Sequence, residues 1–296
     1  MAVEFTPQIS HIKPCRGGRH RPPVTSRRDN MQTSKNPPLK KILDDIYTQY
    51  HHPKYLGLDP LICVRRFKDK GSRECTGLLA ASLAYGRVEI IVRNINSIID
   101  GAMGGDPVNF ITNTSYRDKS KSLAKFKHRF NDGQDIAALL ESIKIITKEH
   151  GSIEKCFCDC MKRGDNQLKS ALTSFTDILK SSVRKYVDCR ASFEYLIPSP
   201  GKGSACKRMV LYLRWMVRED DGIDLGVWKT VPTSCLLIPV DTHVAKIARG
   251  YGFTKRNSAD WKMAEEITSV LRRYDPDDPV RYDFALCHAG MVDIRS

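Results

Sequence analysis

The sequence predicts an all-α protein, and three observations support this. Apolar residues recur at the three- and four-residue spacing of helices along most of the chain from Leu39 onward. One long pattern, over residues 135–150, ends at Gly151, and glycine is the residue that most readily closes a helix. No run of alternating apolar and polar residues indicates a strand, and no segment repeats. An all-α fold therefore follows.

The first half of the chain carries three helical patterns. Residues 39–50 place apolar side chains along one stripe. Residues 72–100 form a long and largely buried pattern, which is broken near Tyr85-Gly86-Arg87. Residues 135–150 form the third pattern. We expect the break at residues 85–87 to be a loop between two helices.

The second half carries four more helical patterns. Residues 166–187 repeat the amphipathic stripe, and residues 204–220 are apolar on most faces, which predicts a central helix. Ser258 is a candidate N-cap for the next helix. Asp278-Pro279 is expected to open a last helix that stops at Gly290, because proline suits the first helical position.

The composition indicates a soluble protein in a reducing compartment. The 296 residues, of which 41% are hydrophobic, are enough to build a core. No apolar run approaches the roughly 20 residues that cross a bilayer, and the N-terminus lacks the apolar segment of a secretory signal. The ten cysteines show no disulfide framework and indicate reduced thiols. We therefore expect a cytoplasmic protein without a membrane partner.

The basic charge is concentrated at the N-terminus. The net charge is +14, and residues 1–41 hold nine Lys and Arg against two acidic residues. Residues 1–38 contain few apolar residues and several Gly and Pro, so they predict a disordered basic tail. This tail is a non-specific DNA-binding arm, a targeting segment or the product of a start codon upstream of Met31. The absence of an amphipathic helix favours a dispensable arm or an upstream start.

A turn rich in Gly and Pro precedes the central helix, in "SPGKGSACKR" over residues 199–208. Glycines allow close backbone approach, and the free N–H groups at a helix N-terminus bind anions, so this turn is a candidate phosphate site. It lacks the spacing of a nucleotide-binding P-loop, and the alternative is an ordinary loop. The candidate DNA-binding residues of the turn are Pro200, Gly201, Lys202, Gly203 and Ser204.

Asp241, in "IPVDTHVAKIARGYGF", supports two interpretations. An Asp before a helical pattern is a common N-cap, which typically contributes about 1 kcal/mol. The helix N-terminus also stabilises the carboxylate anion, and cleavage of an N-glycosidic bond needs an anion beside the sugar as positive charge develops. Cap and catalyst are compatible. The spacing alone favours the cap.

These segments carry a resemblance to a known superfamily. "PGKGSACKR" followed by "IPVDTHVAKIARGYGF" resembles the helix-hairpin-helix DNA glycosylases, and "FALCHAG" is similar to the closing helix of their endonuclease III branch. The "IPVD" segment and the insert before it look like the archaeal 8-oxoguanine glycosylase. Over almost all of residues 39–291, the chain also resembles an uncharacterised bacterial family of unknown function.

The resemblance implies roles for single residues. Asp241 matches the catalytic Asp of the superfamily. Ungapped alignment with the endonuclease III hairpin puts Ala205 where the bifunctional enzymes carry a nucleophilic lysine, whereas the archaeal pattern puts Lys207 there, 34 residues before Asp241. Lys207 is therefore a candidate nucleophile, or else a phosphate-contacting or solvated lysine.

Further candidates follow from the same resemblance. The superfamily often has, in its early loop, a glutamine that fills the base stack behind a flipped base, and this chain has Tyr85, Gly86 and Arg87 there. An aromatic ring and an arginine at this place are candidates to insert into DNA and hold it. Tyr85 is equally a candidate for the core. His243 follows the key Asp and is expected to contact DNA, pack or cap. Trp215 and Trp228 are candidates for a base pocket, with burial in the core as the alternative.

No metal or iron–sulfur cofactor is expected. The cysteines that hold the endonuclease III cluster would follow the last helix, and the chain ends six residues after Gly290. Cys156, Cys158 and Cys160 form a tight group, but metal sites usually pair cysteines as C-x-x-C with further ligands at suitable spacing. We interpret this group as part of a turn between helices.

The prediction is a helix-hairpin-helix glycosylase-like domain over residues 39–296, with two helical subdomains and a cleft between them. Subdomain A would comprise about residues 39–75 plus 242–296, and subdomain B about residues 76–241. The predicted function is that of a base-excision repair glycosylase that acts on a flipped damaged base in double-stranded DNA, with abasic-site lyase activity if Lys207 faces the sugar, in a nucleoid-associated monomer. The alternative is a structure-selective DNA- or RNA-binding protein of the same fold without catalysis.

Overall fold

The computed structural model describes residues 39–163, 167–188 and 190–292, and the predicted basic tail over residues 1–38 lies outside them. Residues 38–296 form one compact unit. Its helices in the first half are α1 Leu39–Tyr50, α2 Ile62–Arg65, α3 Lys70–Ser82, α4 Val88–Asn96, α5 Pro107–Asn113, α6 Tyr116–Ser122 and α7 Gly133–His150. Those in the second half are α8 Ile153–Arg163, α9 Leu168–Ser181, α10 Arg184–Val187, α11 Ala191–Leu196, α12 Lys207–Val217, α13 Thr242–Gly250, α14 Trp261–Arg272 and α15 Asp283–Val292.

The rest of the regular structure is short. Turns of 3₁₀-helix occupy Pro53–Leu58, Pro200–Lys202 and Thr233–Cys235, and a π-helical segment, Ser97–Ala102, continues α4. A two-stranded antiparallel hairpin pairs β1 Lys127–His128 with β2 Asn131–Asp132, in the register Lys127 with Asp132 and His128 with Asn131. The all-α prediction is confirmed, and this small hairpin is the addition that the sequence did not indicate. No described helix combines the length and apolarity needed to span a bilayer.

Helix α12 lies at the centre of the core, as its apolar faces predict. Every residue from Arg208 to Val217 is buried, and α12 packs against α3. Gly77 of α3 permits the close approach, because a Cβ atom there would lie 2.7 Å from Cε of Met216 and 3.2 Å from Cε2 of Tyr212. At this point the side chains of α12 therefore pack directly against the backbone of α3.

The chain folds back along α12 after the helix ends. The backbone N–H of Leu225 donates to the carbonyl of Trp215 at 2.9 Å, and that of Trp228 donates to the carbonyl of Met216 at 2.8 Å. We call residues 218–240 the return segment, because it brings the chain from the end of α12 to Asp241. Beyond it, α13 packs against α15, and α15 packs against α1. The predicted division into two subdomains stays a prediction.

Several predicted helix boundaries hold and others need correction. Helix α7 ends at Gly151, whose φ of 87° is the left-handed conformation that glycine favours. The N-cap of α14 is Asp260, which accepts from the backbone N–H of Met263, and not Ser258. The last helix begins at Asp283 and not at Asp278-Pro279, because Asp278 instead pairs with Arg218 at 2.8 Å.

Candidate active site

The hairpin that precedes α12 is a tight turn between α11 and α12. Gly203 has φ 82°, the left-handed region, and its carbonyl accepts from the backbone N–H of Trp261 at 3.5 Å. Gly201 packs closely on α9, since a Cβ atom there would lie 3.1 Å from Cγ2 of Thr173. Cys206 also adopts a left-handed φ of 53°, which is unusual for a residue other than glycine. Lys207 follows this turn directly and is the first residue of α12.

The side chains of the turn point to solvent. Ser204 accepts from the backbone N–H of Cys206 at 3.0 Å and forms an isolated bridge with Asp260. The Lys202 side chain is 75% exposed and its Nζ lies 3.0 Å from Oε2 of Glu194. Pro200 is buried, whereas residues 201–204 are exposed. A phosphate could reach these exposed residues without displacing any core side chain.

Asp241 is the N-cap of α13. Its Oδ1 accepts from the backbone N–H groups of His243 and Val244, each at 2.9 Å. Its Oδ2 takes no part in the cap and faces Lys207 and Cys287. The two oxygens therefore have separate surroundings, and one remains available for chemistry while the other holds the helix end.

Lys207 meets the free oxygen of Asp241. The distance from Nζ of Lys207 to Oδ2 of Asp241 is 3.6 Å, with the lysine side chain 32% exposed and the carboxylate 18% exposed. The thiol of Cys287, from α15, donates to the same oxygen at 3.7 Å. Burial raises the pKa of the Cys287 thiol well above its usual range, so it remains a neutral donor. Three elements thus converge on a single oxygen atom.

A cavity of about 250 Å³ opens in front of this pair. Its wall contains Lys207, Asp241 and His243, and also Tyr85 and Gly86 from the loop after α3. The deeper wall comes from residues that the sequence did not single out together as a site, and these are Asp59, Arg214, Asp283, Phe284, Cys287 and His288. A cavity that combines apolar walls with a few convergent polar groups is the usual form of a ligand site.

The structure assigns the remaining predicted residues to different environments. Arg87 is mostly exposed at the edge of the loop, at 82% for its side chain. Nδ1 of His243 is buried without a hydrogen-bond partner among the described residues. His288 is a buried histidine whose Nδ1 donates to the carbonyl of Phe284 at 2.8 Å, and burial lowers its pKa, so its ring is neutral.

The structure places Trp215 and Trp228 in the core, which is the alternative given with the base-pocket prediction. Both indoles are buried in the core, at 0% and 1% exposure, and neither lines the cavity beside Asp241. Nε1 of Trp228 donates to Oε1 of Glu74 at 2.7 Å, and the ring packs edge-on against Tyr212. These side chains hold the return segment to α12 and α3, which is the alternative that their apolar surroundings also indicated.

The three clustered cysteines lie on one short helix and not in a turn. Cys156 and Cys160 are buried on the inner face of α8, and Cys158 is partly exposed. Within the described residues, no group of three or more His, Cys, Asp or Glu side chains is arranged to hold a metal ion. The interpretation of these residues as a turn is therefore corrected to helix.

A network of buried charges supports the cavity from behind. Arg214 of α12 is 2% exposed, and each nitrogen of its guanidinium group faces a different carboxylate. Its Nε lies 3.1 Å from Oδ1 of Asp224, and its Nη1 donates to Asp283. Its Nη2 lies 3.9 Å from Oδ2 of Asp59. One guanidinium therefore serves three carboxylates. Burial raises the pKa of Asp283 to about 6, although the positive charge of Arg214 opposes this rise.

This raised pKa predicts how stability depends on pH. The folded protein binds a proton at Asp283 more tightly than the unfolded chain does, so protonation of Asp283 stabilises the fold. This contribution is fully present below the ordinary carboxyl pKa of 3.8 and is lost as the pH rises through about 6. Between about pH 7 and about pH 5, we expect the wild type to gain about 1 kcal/mol of unfolding free energy relative to Asp283→Asn, which does not titrate.

Urea unfolding of both proteins at each pH measures this difference. Because the two chains share every other titrating group, their remaining pH dependence cancels. The quantity compared is the unfolding free energy of the wild type minus that of Asp283→Asn. If this value stays constant or decreases as the pH falls, Asp283 is ionised throughout this range.

The comparisons with known proteins give a family for this chain. A family model described as "Protein of unknown function (DUF2400)" matches residues 59–292. The chain belongs to this family. A search of curated proteins and a search of solved structures each found no match.

The DUF2400 match includes the hairpin, Lys207, Asp241 and all of the cavity wall except Leu58. It begins at Asp59, in the cavity wall, and runs through the hairpin, Lys207 and Asp241 to the last described residue of α15. Helix α1, which packs against α15, precedes the matched region. Apart from Leu58, the cavity is thus lined by residues within the part of the chain that matches the DUF2400 family.

Proposed function

We propose that this DUF2400 protein is a DNA glycosylase that removes a flipped damaged base and also cleaves the resulting abasic site. The observation that carries the proposal is the pair formed by Lys207 and Asp241, whose Nζ and Oδ2 atoms lie 3.6 Å apart at a cavity. An amine beside a carboxylate is the arrangement that activates a lysine nucleophile, because the carboxylate can accept the ammonium proton. The resemblance of the surrounding segments to helix-hairpin-helix glycosylases supports the same chemistry.

In the first step, Asp241 acts on the sugar. As the bond between C1′ and the base lengthens, positive charge develops on the sugar, and the Oδ2 anion stabilises it electrostatically. The departing base takes the bonding electron pair and is neutralised by a proton. Oδ1 keeps its two backbone hydrogen bonds throughout, so the carboxylate stays in place.

In the second step, Lys207 forms a covalent intermediate. Its ammonium passes one proton through Oδ2 of Asp241 to the departing base, which restores the carboxylate anion, and the free amine forms its bond to C1′ as the bond to the base breaks. Opening of the sugar ring then yields a protonated Schiff base between Nζ and C1′. Loss of a proton from C2′ expels the 3′ phosphate and breaks the strand. No metal or redox cofactor enters these steps.

The hairpin supplies the phosphate contacts in this proposal. The exposed backbone at Gly201 and Gly203, together with Lys202 and Ser204, would hold a DNA phosphate next to the start of α12. Tyr85, Gly86 and His243 would contact the flipped nucleotide at the cavity mouth. The partner is then damaged double-stranded DNA, bound by a cytoplasmic, nucleoid-associated monomer.

Borohydride trapping tests this function. Duplex oligonucleotides that each carry one lesion (8-oxoguanine, thymine glycol, uracil, hypoxanthine or an abasic site) are incubated with protein and borohydride, which reduces a Schiff base to a stable adduct. We expect an adduct with at least one duplex for the wild type and none for Lys207→Ala. The lesion that gives the adduct identifies the substrate.

Lys202→Ala is the matched control, because Lys202 belongs to the same hairpin but points to solvent and pairs with Glu194. Because Lys202 also belongs to the proposed phosphate contacts, trapping of this variant is done at saturating protein, where it should retain the adduct. An adduct that survives in Lys207→Ala would assign the nucleophile elsewhere. If the wild type gives no adduct and releases no base from any duplex, but still binds DNA in a salt-dependent manner, the protein is a structure-selective binder and the glycosylase proposal is wrong.

A further inference from the structure

A row of aromatic side chains lies beside the cavity mouth. The Tyr85 ring lies 4.6 Å from the His128 ring and 5.1 Å from the Tyr195 ring, and the Tyr195 ring lies 5.2 Å from the Phe130 ring. We call these four residues the aromatic row. It begins at Tyr85, which lines the cavity, and ends at Phe130 on the surface. The row therefore connects the candidate active site to an exposed surface.

The outer end of the row is unusually exposed. Phe130 is 59% exposed and Tyr195 is 42% exposed. Exposed apolar residues that occur singly need no explanation, but two adjacent aromatic rings next to a cavity indicate a binding surface. The Phe130 ring packs edge-on against Tyr195, and the guanidinium of Arg129 lies 5.6 Å from its centre, so a cation accompanies the exposed ring.

The inner end of the row is held rigidly. The guanidinium of Arg208 lies 4.9 Å from the Tyr85 ring and 4.6 Å from the Tyr195 ring. Its Nη1 donates to the carbonyl of Ser82 at 3.0 Å, and its Nη2 donates to the carbonyl of Tyr195. A buried arginine thus fixes the ring positions from behind. A pre-ordered surface loses little conformational entropy when a partner binds.

The hairpin loop that presents Phe130 is strained. Arg129 and Phe130 form the two-residue connection between β1 and β2, and Arg129 has φ 52°. Glycine or asparagine is the usual residue at such a position. Residues in such unfavourable backbone conformations persist only where the surrounding structure holds them, and they cluster at functional sites.

Positive charge surrounds the row. Arg87, Lys125, Lys127 and Arg129 are all exposed on the two loops that carry Tyr85 and Phe130. The two loops touch, since a Cβ atom at Gly86 would lie 3.2 Å from Cδ of Arg129. An exposed aromatic platform within a basic surface is the combination that binds unpaired bases, with cations on the phosphates and rings on the base faces.

We propose that Phe130 and Tyr195 form a stacking platform for an unpaired base of the DNA, next to the nucleotide that enters the cavity. This inference rests on the proposed function, because it takes DNA as the partner. Removal of one nucleotide from a duplex leaves its partner base without a pair, and a rigid aromatic surface at the cavity mouth can stack on that base. The basic side chains around it hold the flanking phosphates.

Equilibrium binding to two duplexes of the same sequence tests the platform. One duplex is fully paired, and the other carries a tetrahydrofuran abasic analogue, which leaves one base unpaired. Stacking on an aromatic side chain contributes about 1–3 kcal/mol per base, so we expect Phe130→Ala to weaken binding of the second duplex about tenfold or more. Binding of the paired duplex should stay unchanged.

The matched control is Val108→Ala. Val108 is also an exposed apolar residue, at 38%, but it lies against Gly71 at the opposite end of α3 from Tyr85. This variant should bind both duplexes as the wild type does. Both substitutions remove exposed atoms, so neither should lower thermal stability.

A Phe130→Trp variant gives a direct signal of stacking. The three tryptophans of the sequence, Trp215, Trp228 and Trp261, are buried, so an added tryptophan at position 130 is the exposed one. Its fluorescence should fall when the abasic duplex binds, and its affinity should match that of the wild type.

Two results would separate failure of the platform from failure of the proposed function. If the wild type binds neither duplex, DNA is not the partner. If the wild type prefers the abasic duplex but Phe130→Ala retains the same preference, or if the tryptophan signal does not change, DNA is bound without the aromatic row and the platform is overturned.

Discussion

Asp241→Asn is expected to lower the rate of base release by about 100- to 1,000-fold while leaving the fold intact, a loss of the size seen when one electrostatic group is removed from an active site. Asparagine caps helices as well as aspartate does, so it can keep the bonds to the N–H groups of His243 and Val244. The substitution removes the negative charge and replaces the acceptor Oδ2 with an amide NH2 group, while the acceptor of the cap is kept. It therefore separates the cap from the catalyst, which the sequence pattern alone could not do.

The measurement is single-turnover release of the base that the trapping experiment identifies, together with the thermal midpoint of each protein. Asp69→Asn is the matched control, because Asp69 caps α3 by accepting from the backbone N–H of Ser72 at 2.7 Å and lies far from the cavity. Both variants should melt with the wild type. Unchanged base release in Asp241→Asn would make Asp241 a cap only.

Arg214→Met is expected to destabilise the protein by about 3–5 kcal/mol, because removing one partner of a buried ion pair leaves charge without compensation. Arg214 is 2% exposed and serves both Asp224 and Asp283, which are themselves buried. Methionine fills much of the same space, so the loss reflects charge rather than a cavity. Arg218 still contacts Asp224, which limits the damage at that carboxylate.

Urea unfolding measures this loss against a surface pair. Arg66 donates to Asp100 with side chains 38% and 53% exposed, and such pairs contribute about 1 kcal/mol or less. Arg66→Met should therefore be nearly neutral. Equal destabilisation by the two substitutions would mean that the buried network adds nothing beyond an ordinary surface contact.

The sequence predicted the helices well, because helical periodicity is local. The central position of α12 and the C-cap at Gly151 follow directly from residues within a few positions of each other. The errors occurred where a long-range contact overrides a local signal. Asp278-Pro279 has the form of a helix start, but Arg218 binds the Asp278 carboxylate and the helix begins four residues after Pro279, at Asp283.

The site was predicted only in part for the same reason. The proposed roles of Lys207 and Asp241 rest on the resemblance, whereas the distance between the two side chains is a property of the folded chain. Cys287 and Asp283 come from α15, and nothing in their local pattern indicates the cavity. Trp215 and Trp228 were predicted as pocket residues because apolar aromatic residues suit both a pocket and a core, and only burial distinguishes the two.

Phe130 illustrates a different limit. The strands on either side of it contain two residues each, too few for alternation to be visible in the sequence. Its exposure, the left-handed Arg129 and the neighbouring Tyr195 become apparent only in three dimensions. The signal available beforehand was a short run of basic and aromatic residues over 125–130, which indicates a surface but no partner.

The return segment has a consequence for how this family can diversify. Lys207 begins α12, and the chain travels the length of that helix before backbone bonds at Leu225 and Trp228 guide it back to Asp241. The amine and the carboxylate are therefore connected by one continuous stretch of chain, which consists of α12 and the return segment. Part of the cavity wall comes from other elements, through residues such as Tyr85 and His288. Substitutions in that part of the wall can therefore change which molecule is accepted without altering the path that connects the amine to the carboxylate.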